Sequence, residues 1–230
     1  MIIGIIGAMA EEVEWFHSEL VESNRTSLAG ITYIEGTFQG KSVVLCKSGV
    51  GKVNAAICTQ QLIAQFKVDR ILFTGVAGAL HPDLNIGDLV ISTDCLQHDI
   101  DVTALGFDKG VIPYQAQSIY PADENLREIA YQCSVQLFEE KSYQGRVLSG
   151  DQFIADREQV KQLRETFDGM CTEMEGAAVA QVCAMHKVPY VVIRSMSDKA
   201  DGSAPVNFAA FTKQAAEHSF RLVSSIVQKL

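Results

Sequence analysis

Short apolar runs punctuate the chain at residues 2–6, 42–46, 70–74, 88–93 and 190–193, and most are rich in β-branched side chains. Runs that are apolar on both faces suit strands covered on both sides. Between them, apolar positions recur at helical spacing. Residues 53–66 place Ala56, Ile57, Leu62, Ile63 and Phe66 on one stripe, and residues 123–139 and 175–186 read similarly. A last helix is expected from about residue 208 onward, with Asn207 as its N-cap and Phe211, Ala215, Leu222 and Ile226 on its apolar face. This alternation predicts one α/β domain over residues 1–230, a mixed and largely parallel sheet flanked by helices. The loosest segment, residues 103–121, holds two glycines and two prolines; its length points to a functional role or to cover by a partner.

With 47% hydrophobic residues, 230 residues suffice for one substantial core. A net charge of −9, with Lys and Arg scattered, argues against nucleic acid or an anionic membrane as a partner. The six cysteines form no C-x-x-C pair and no zinc spacing, so buried free thiols in a reducing cytoplasm are expected. The apolar stretch at residues 1–8 has no basic flank and runs into Glu11 and Glu12; it reads as a buried strand, not a signal peptide. No apolar run has the length of a membrane span.

Candidate chemistry gathers where predicted strands end. Glu173-Met174-Glu175 precedes an alanine-rich helical run. Acids at a helix start meet free N–H groups and the positive end of the dipole, so either capping or ligand binding would suit them. Two further segments tip the balance toward a site, Ala8 to Glu12 after the first strand and Arg194 to Asp198 after a late one. In open α/β sheets, ligands bind beyond the carboxyl ends of strands. Ser48-Gly49-Val50-Gly51-Lys52-Val53 tempts toward a phosphate loop, but Cys46 and Val53 occupy positions that need Gly and Ser or Thr, so a tight strand-to-helix turn is expected. Thr74 to Ala79 offers small residues against which a flat ligand could lie, or against which a helix could pack. His98-Asp99-Ile100-Asp101 lacks the companions of a metal site and reads as a polar pocket wall or subunit contact. Phe153, after the Ser149-Gly150 turn, is a core aromatic or a stacking platform for a base. Asp198 is a candidate general acid, or a capping or solvated loop residue.

Taken together and in order, these segments resemble the 5′-methylthioadenosine/S-adenosylhomocysteine nucleosidases of the nucleoside phosphorylase-like superfamily. The carriers are residues 3–9 with Glu12, 48–53, 74–78, 149–151 with Phe153, 173–175, and Ser197-Asp198. The resemblance implies hydrolysis of an N-glycosidic bond through an oxocarbenium-like transition state, without cofactor or metal. Methylthioadenosine and S-adenosylhomocysteine are the implied substrates, with 5′-deoxyadenosine and 6-amino-6-deoxyfutalosine as further candidates. It implies Asp198 as the acid that protonates adenine N7, Glu12 as the base for water, Glu175 as the partner of the ribose hydroxyls, and Arg194 as a holder of the carboxylates and water. Phe153 would stack on adenine while the Ile154 backbone reads its edge. Ala77 and Gly78 would line the base, and Met174 the ribose. Met9, Val50 and Phe208 would meet the 5′ substituent. Val102, Leu105, Phe107 and Pro113 would come from the other subunit of a homodimer.

Two positions depart from the commoner family pattern. Val76 stands where a Ser often hydrogen-bonds the acid, so Ser197 or backbone N–H groups are expected to orient Asp198. Leu105 stands where an aromatic is common, which leaves the shape of the 5′ pocket open. The competing readings are a purine nucleoside phosphorylase on the same fold and a non-catalytic nucleoside-binding protein. An anion at Glu12 would repel phosphate, and a binding protein would have no need of the acid and base.

Overall fold

The computed structural model describes residues 1–200 and 204–230. All five predicted strands form, and each runs past its predicted end: β1 Ile2–Gly7, β4 Lys41–Lys47, β5 Arg70–Ala79, β6 Leu89–Gln97 and β10 Tyr190–Asp198. The extensions matter most in β5 and β10. Gly75-Val76-Ala77-Gly78 and Ser195-Met196-Ser197-Asp198 carry little strand pattern of their own. They are held extended by pairing with each other, in parallel register from Tyr190 opposite Ile71 to Asp198 opposite Gly78.

The remaining strands are β2 Val21–Leu28, β3 Ile31–Phe38, β7 Ile119–Pro121, β8 Ser142–Ser149 and β9 Gly169–Glu173. Of the ten strand pairings among the described residues, five are parallel and five antiparallel, so the sheet is mixed. Its parallel spine is β4-β1-β5-β10. Strand β10 also pairs with β6, and β9 bridges β8 to β5, so β5-β10-β6-β8-β9 close into a ring. Strands β3 and β2 extend the open arm beyond β4. Closing the ring draws the ends of β5, β8, β9 and β10 together, which no single apolar run announces.

Helices α1 Ala10–Glu19, α2 Lys52–Ala64, α3 Glu124–Phe138, α4 Arg157–Phe167, α5 Gly176–His186 and α6 Ala204–Lys229 surround the sheet. Helices α1 and α6 pack together through Phe16 and Phe220, edge to face at 4.9 Å. Helices α2 and α5 pair separately. Asp123 caps α3 by accepting the Leu126 N–H. The expectation for Asn207 is corrected: α6 begins at Ala204, so Asn207 lies within its first turn and is not the N-cap. All six cysteines are free and buried.

Candidate active site

A cavity of about 230 Å³ opens where β1, β5, β9 and β10 end. Its lining is mainly apolar, with Glu12, Glu173, Glu175 and Asp198 as its acidic members. Twelve residues expected at the site line it: Met9, Glu12, Val50, Ala77, Gly78, Phe153, Ile154, Met174, Glu175, Ser197, Asp198 and Phe208. Gln152 and Thr172 line it too and were not foreseen, as does Glu173, which the sequence offers only as part of the Glu173-Met174-Glu175 motif.

Glu12 belongs to the first turn of α1, directly beyond β1. One carboxylate oxygen accepts the Ala8 and Met9 N–H groups at 2.6 and 2.9 Å, and the other accepts the Val76 N–H at 2.9 Å. Burial raises its pKa above the usual carboxylate value, opposed by the Arg194 charge and these three N–H groups. A raised carboxylate is a stronger base. Gly75 is required beside it, because a Cβ there would stand 2.5 Å from Glu12 Oε1.

Asp198 ends β10 opposite Gly78 and is almost wholly buried. Ser197 Oγ donates to Oδ2 at 2.9 Å, and the Ala200 N–H donates to Oδ1 at 2.7 Å. These are donors of the two kinds expected in place of a serine at residue 76. Val76 instead contributes its backbone to Glu12. Strand β5 thus acts as a ruler. Glu12 is tied at Val76 and Asp198 is registered at Gly78, two residues or roughly 7 Å apart along the strand. Glu12 and Asp198 therefore flank one stretch of cavity.

The two acids around Met174 divide their tasks. Glu173 takes the free helix donors: both its oxygens accept the Gly176 N–H, at 2.9 and 2.8 Å, and Ser149 Oγ donates to Oε1. Arg194 donates to Glu173 Oε2 through Nη2 at 2.6 Å and Nε at 3.2 Å. Glu175 occupies the N-cap position yet makes no capping bond with its side chain. Its Oε1 accepts the Gly51 N–H at 2.7 Å from across the cavity. Burial, and then the neighbouring Glu173 charge, push its pKa up to about 8. The capping reading of this motif is thus met by Glu173, while Glu175 leaves its helix uncapped and lines the cavity.

Arg194 itself lies behind the cavity wall, 1% exposed, with its guanidinium 4.0 Å above the Phe73 ring. Burial works against its charge, but Glu173 and Glu12 outweigh that and hold it protonated. It reaches the cavity through these carboxylates. The sequence offers Glu173 as a helix-start acid, three residues before Gly176, but does not separate its role from that of Glu175.

Phe153 is half exposed and meets Phe208 edge to face at 5.7 Å, so the two rings form one rim of the cavity. Val102, Leu105, Phe107 and Pro113 do not line the cavity of their own chain. They lie on the segment after β6, where Leu105 is 69% exposed and Phe107 meets the outward-facing Tyr114. Among the described residues, no group of His, Cys, Asp and Glu could hold a metal ion, and no helix is long and apolar enough to cross a membrane.

Comparison with known proteins agrees along the whole chain. The phosphorylase superfamily model matches residues 2–228. The 5′-methylthioadenosine/S-adenosylhomocysteine nucleosidase of Shewanella denitrificans is 43% identical over 231 residues, covering 100% of both chains. Among solved structures, the nucleosidase of that name from Neisseria meningitidis, in complex with methylthio-immucillin-A, has a TM-score of 0.95 at 37% identity, covering 100% of this chain and 99% of its own. The futalosine hydrolase of Helicobacter pylori gives 0.95 at 35% identity, with 100% and 98% covered. An α/β fold with Glu12 and Asp198 set along one strand of its cavity, matched end to end by such relatives, places this chain in the 5′-methylthioadenosine/S-adenosylhomocysteine nucleosidase family of the phosphorylase superfamily.

Proposed function

We propose that the cavity hydrolyses the N-glycosidic bond of 5′-methylthioadenosine and S-adenosylhomocysteine. The observation that carries this is the strand-measured placement of Glu12 and Asp198 on one cavity. Adenine is a poor leaving group as an anion. Asp198 delivers a proton to N7 as the bond to C1′ lengthens, and adenine leaves neutral. Glu12 takes a proton from the attacking water, whose oxygen bonds to C1′. Glu175 receives the ribose hydroxyls, and its negative charge steadies the cationic sugar. Phe153 stacks on the base, while Met9, Val50 and Phe208 meet the 5′ group.

Water is favoured over phosphate as nucleophile because Glu12, an anion, occupies the nucleophile's side, and Arg194 is already neutralised by Glu173. The tail contributes binding energy rather than chemistry, so 5′-deoxyadenosine and 6-amino-6-deoxyfutalosine are further substrates; the likeness to a futalosine hydrolase supports the latter. The products belong to methionine salvage. Six free thiols fit a reducing cytoplasm. We assign a homodimer as the working form. The exposed apolar side chains Val50, Val53, Ile57, Leu105, Tyr114 and Met185 support it, and the segment bearing Val102, Leu105, Phe107 and Pro113 would complete the neighbour's 5′ pocket.

The test is adenine release from methylthioadenosine with and without phosphate. Release independent of phosphate, with a free thioribose, is expected. Strict phosphate dependence with a sugar 1-phosphate as product would replace the hydrolase by a phosphorylase. Tight nucleoside binding without any release would leave a binding protein.

A further inference from the structure

Outside the cavity, Lys52, Asp99 and Asp151 close a ring of hydrogen bonds across three loops. Lys52 Nζ donates to Asp99 Oδ1 at 2.6 Å. The Asp151 N–H donates to Asp99 Oδ2 at 3.0 Å. The Lys52 N–H donates to Asp151 Oδ1 at 2.9 Å. Lys52 starts α2, Asp99 follows β6, and Asp151 follows β8. The Lys52 and Asp99 side chains are each only 15% exposed, so this is not an ordinary surface ion pair. Burial pushes Asp99 up, yet the Lys52 and Asp151 hydrogen bonds bring its carboxyl below the usual range.

What the ring encloses gives it a role. Helix α2 has no side-chain cap of its own and no acid in its first turn. Asp151 supplies that acceptor from a distant loop. The turn before α2 carries Gly49 at φ +85° and Gly51 at φ +98°, backbone that glycine adopts freely and does not fix by itself. Gly51 nevertheless presents the N–H that holds Glu175 Oε1 at 2.7 Å. Asp151 Oδ1 would lie 3.2 Å from a Cβ on Gly51, so it abuts the same turn.

We propose that Lys52, Asp99 and Asp151 are positioning residues. Their ring fixes the Gly49 to Gly51 turn, aims the Gly51 N–H at Glu175, and so holds that carboxylate where the sugar's charge develops. This rests on Glu175 receiving the sugar, as proposed above. It also gives the His98-Asp99 motif a task that neither metal binding nor the catalytic groups supply.

The experiment is a double-mutant cycle on methylthioadenosine. Lys52→Met is measured alone and in a Glu175→Gln background, with thermal unfolding recorded for each protein. Because Lys52→Met leaves Asp99 as an unpaired buried anion, the charge-free replacement Lys52→Met with Asp99→Leu is run beside it. A hydrogen bond to a charged group lost from Glu175 should lower kcat by about ten- to a hundredfold, with KM changed less. In the Glu175→Gln background the further loss should shrink to under about threefold, since coupled sites are not additive. Full repetition of the loss without Glu175, or wild-type kcat in the charge-free variant, would overturn the proposal. Failure of that variant to fold would also overturn it, making the ring a folding element. Adenine release by the unaltered enzyme, and its loss in Asp198→Asn, checks the underlying hydrolase reading separately.

Discussion

Replacing Arg194 with Met should cost stability and shift the pH range over which Glu12 is ionised, and the two effects separate. Arg194 is 1% exposed, its Nη2 stands 2.6 Å from Glu173 Oε2, and its guanidinium covers the Phe73 ring. Met keeps most of the apolar stem, so the loss falls on the ion pair. Breaking one side of a buried pair costs about 3–5 kcal/mol, because the other charge stays buried. For a chain of this size each kcal/mol shifts Tm by about 2–4 °C. The drop should therefore be roughly 6–20 °C by calorimetry. Changing Glu173 to Gln in the same protein removes the stranded charge while leaving an acceptor for the Gly176 N–H. The double variant should recover a substantial part of the loss. The second effect concerns Glu12, whose pKa burial raises and Arg194 lowers. Without Arg194 it rises further, more of Glu12 is protonated at a given pH, and, with Glu12 as the proposed base, the acidic limb of kcat/KM moves to higher pH. A Tm drop under about 2 °C would show that the pair contributes little beyond a surface bridge. A double variant no more stable than Arg194→Met would show that the buried charge was not the cause.

Asp198→Asn and Glu12→Gln should each lower kcat on methylthioadenosine by about 10²- to 10⁴-fold while keeping the fold; near-normal turnover in either would remove that residue from the proton chemistry. Gly75→Ala should cut activity sharply with a smaller effect on stability, because its methyl would press on Glu12 Oε1 at 2.5 Å; full activity would mean that the Glu12 position is not critical. Glu175, pushed up to about 8 by burial and the Glu173 charge, holds a proton more readily than an ordinary carboxylate in the empty site. A nucleoside analogue with a cationic sugar ring lowers that pKa on binding and should release up to about one proton. Calorimetry in buffers of different ionisation enthalpy would read this, and release undiminished in Glu175→Gln would refute it. Sedimentation should show a dimer, and a fully active monomer would exclude a shared pocket.

Apolar pattern in the sequence determined the central strands and the longer helices. Residues 2–6, 70–74 and 190–193 bury both faces, so their character survives any detail of packing. The acids at strand ends could be read as candidates because a parallel strand end is where helix dipoles and free backbone groups converge. Strands β2 and β9 and helices α1 and α4 carried weaker signals. The side chains of β2 are mostly exposed, and its place comes from the β3 ladder, which is tertiary. The late halves of β5 and β10 are likewise extended because they pair with each other.

Tertiary structure alone decided which acid does what. Glu173 and Glu175 are indistinguishable as letters flanking Met174. One turns toward Gly176 and the buried Arg194, the other toward a glycine turn 124 residues away. The spacing of Glu12 and Asp198 was equally invisible, since it is set by two attachments to one strand rather than by chain distance. Sequence specifies such a site by supplying side chains at the ends of elements whose own pattern is local. The fold then brings those ends together, and burial raises the pKa of Glu12 and Glu175 there.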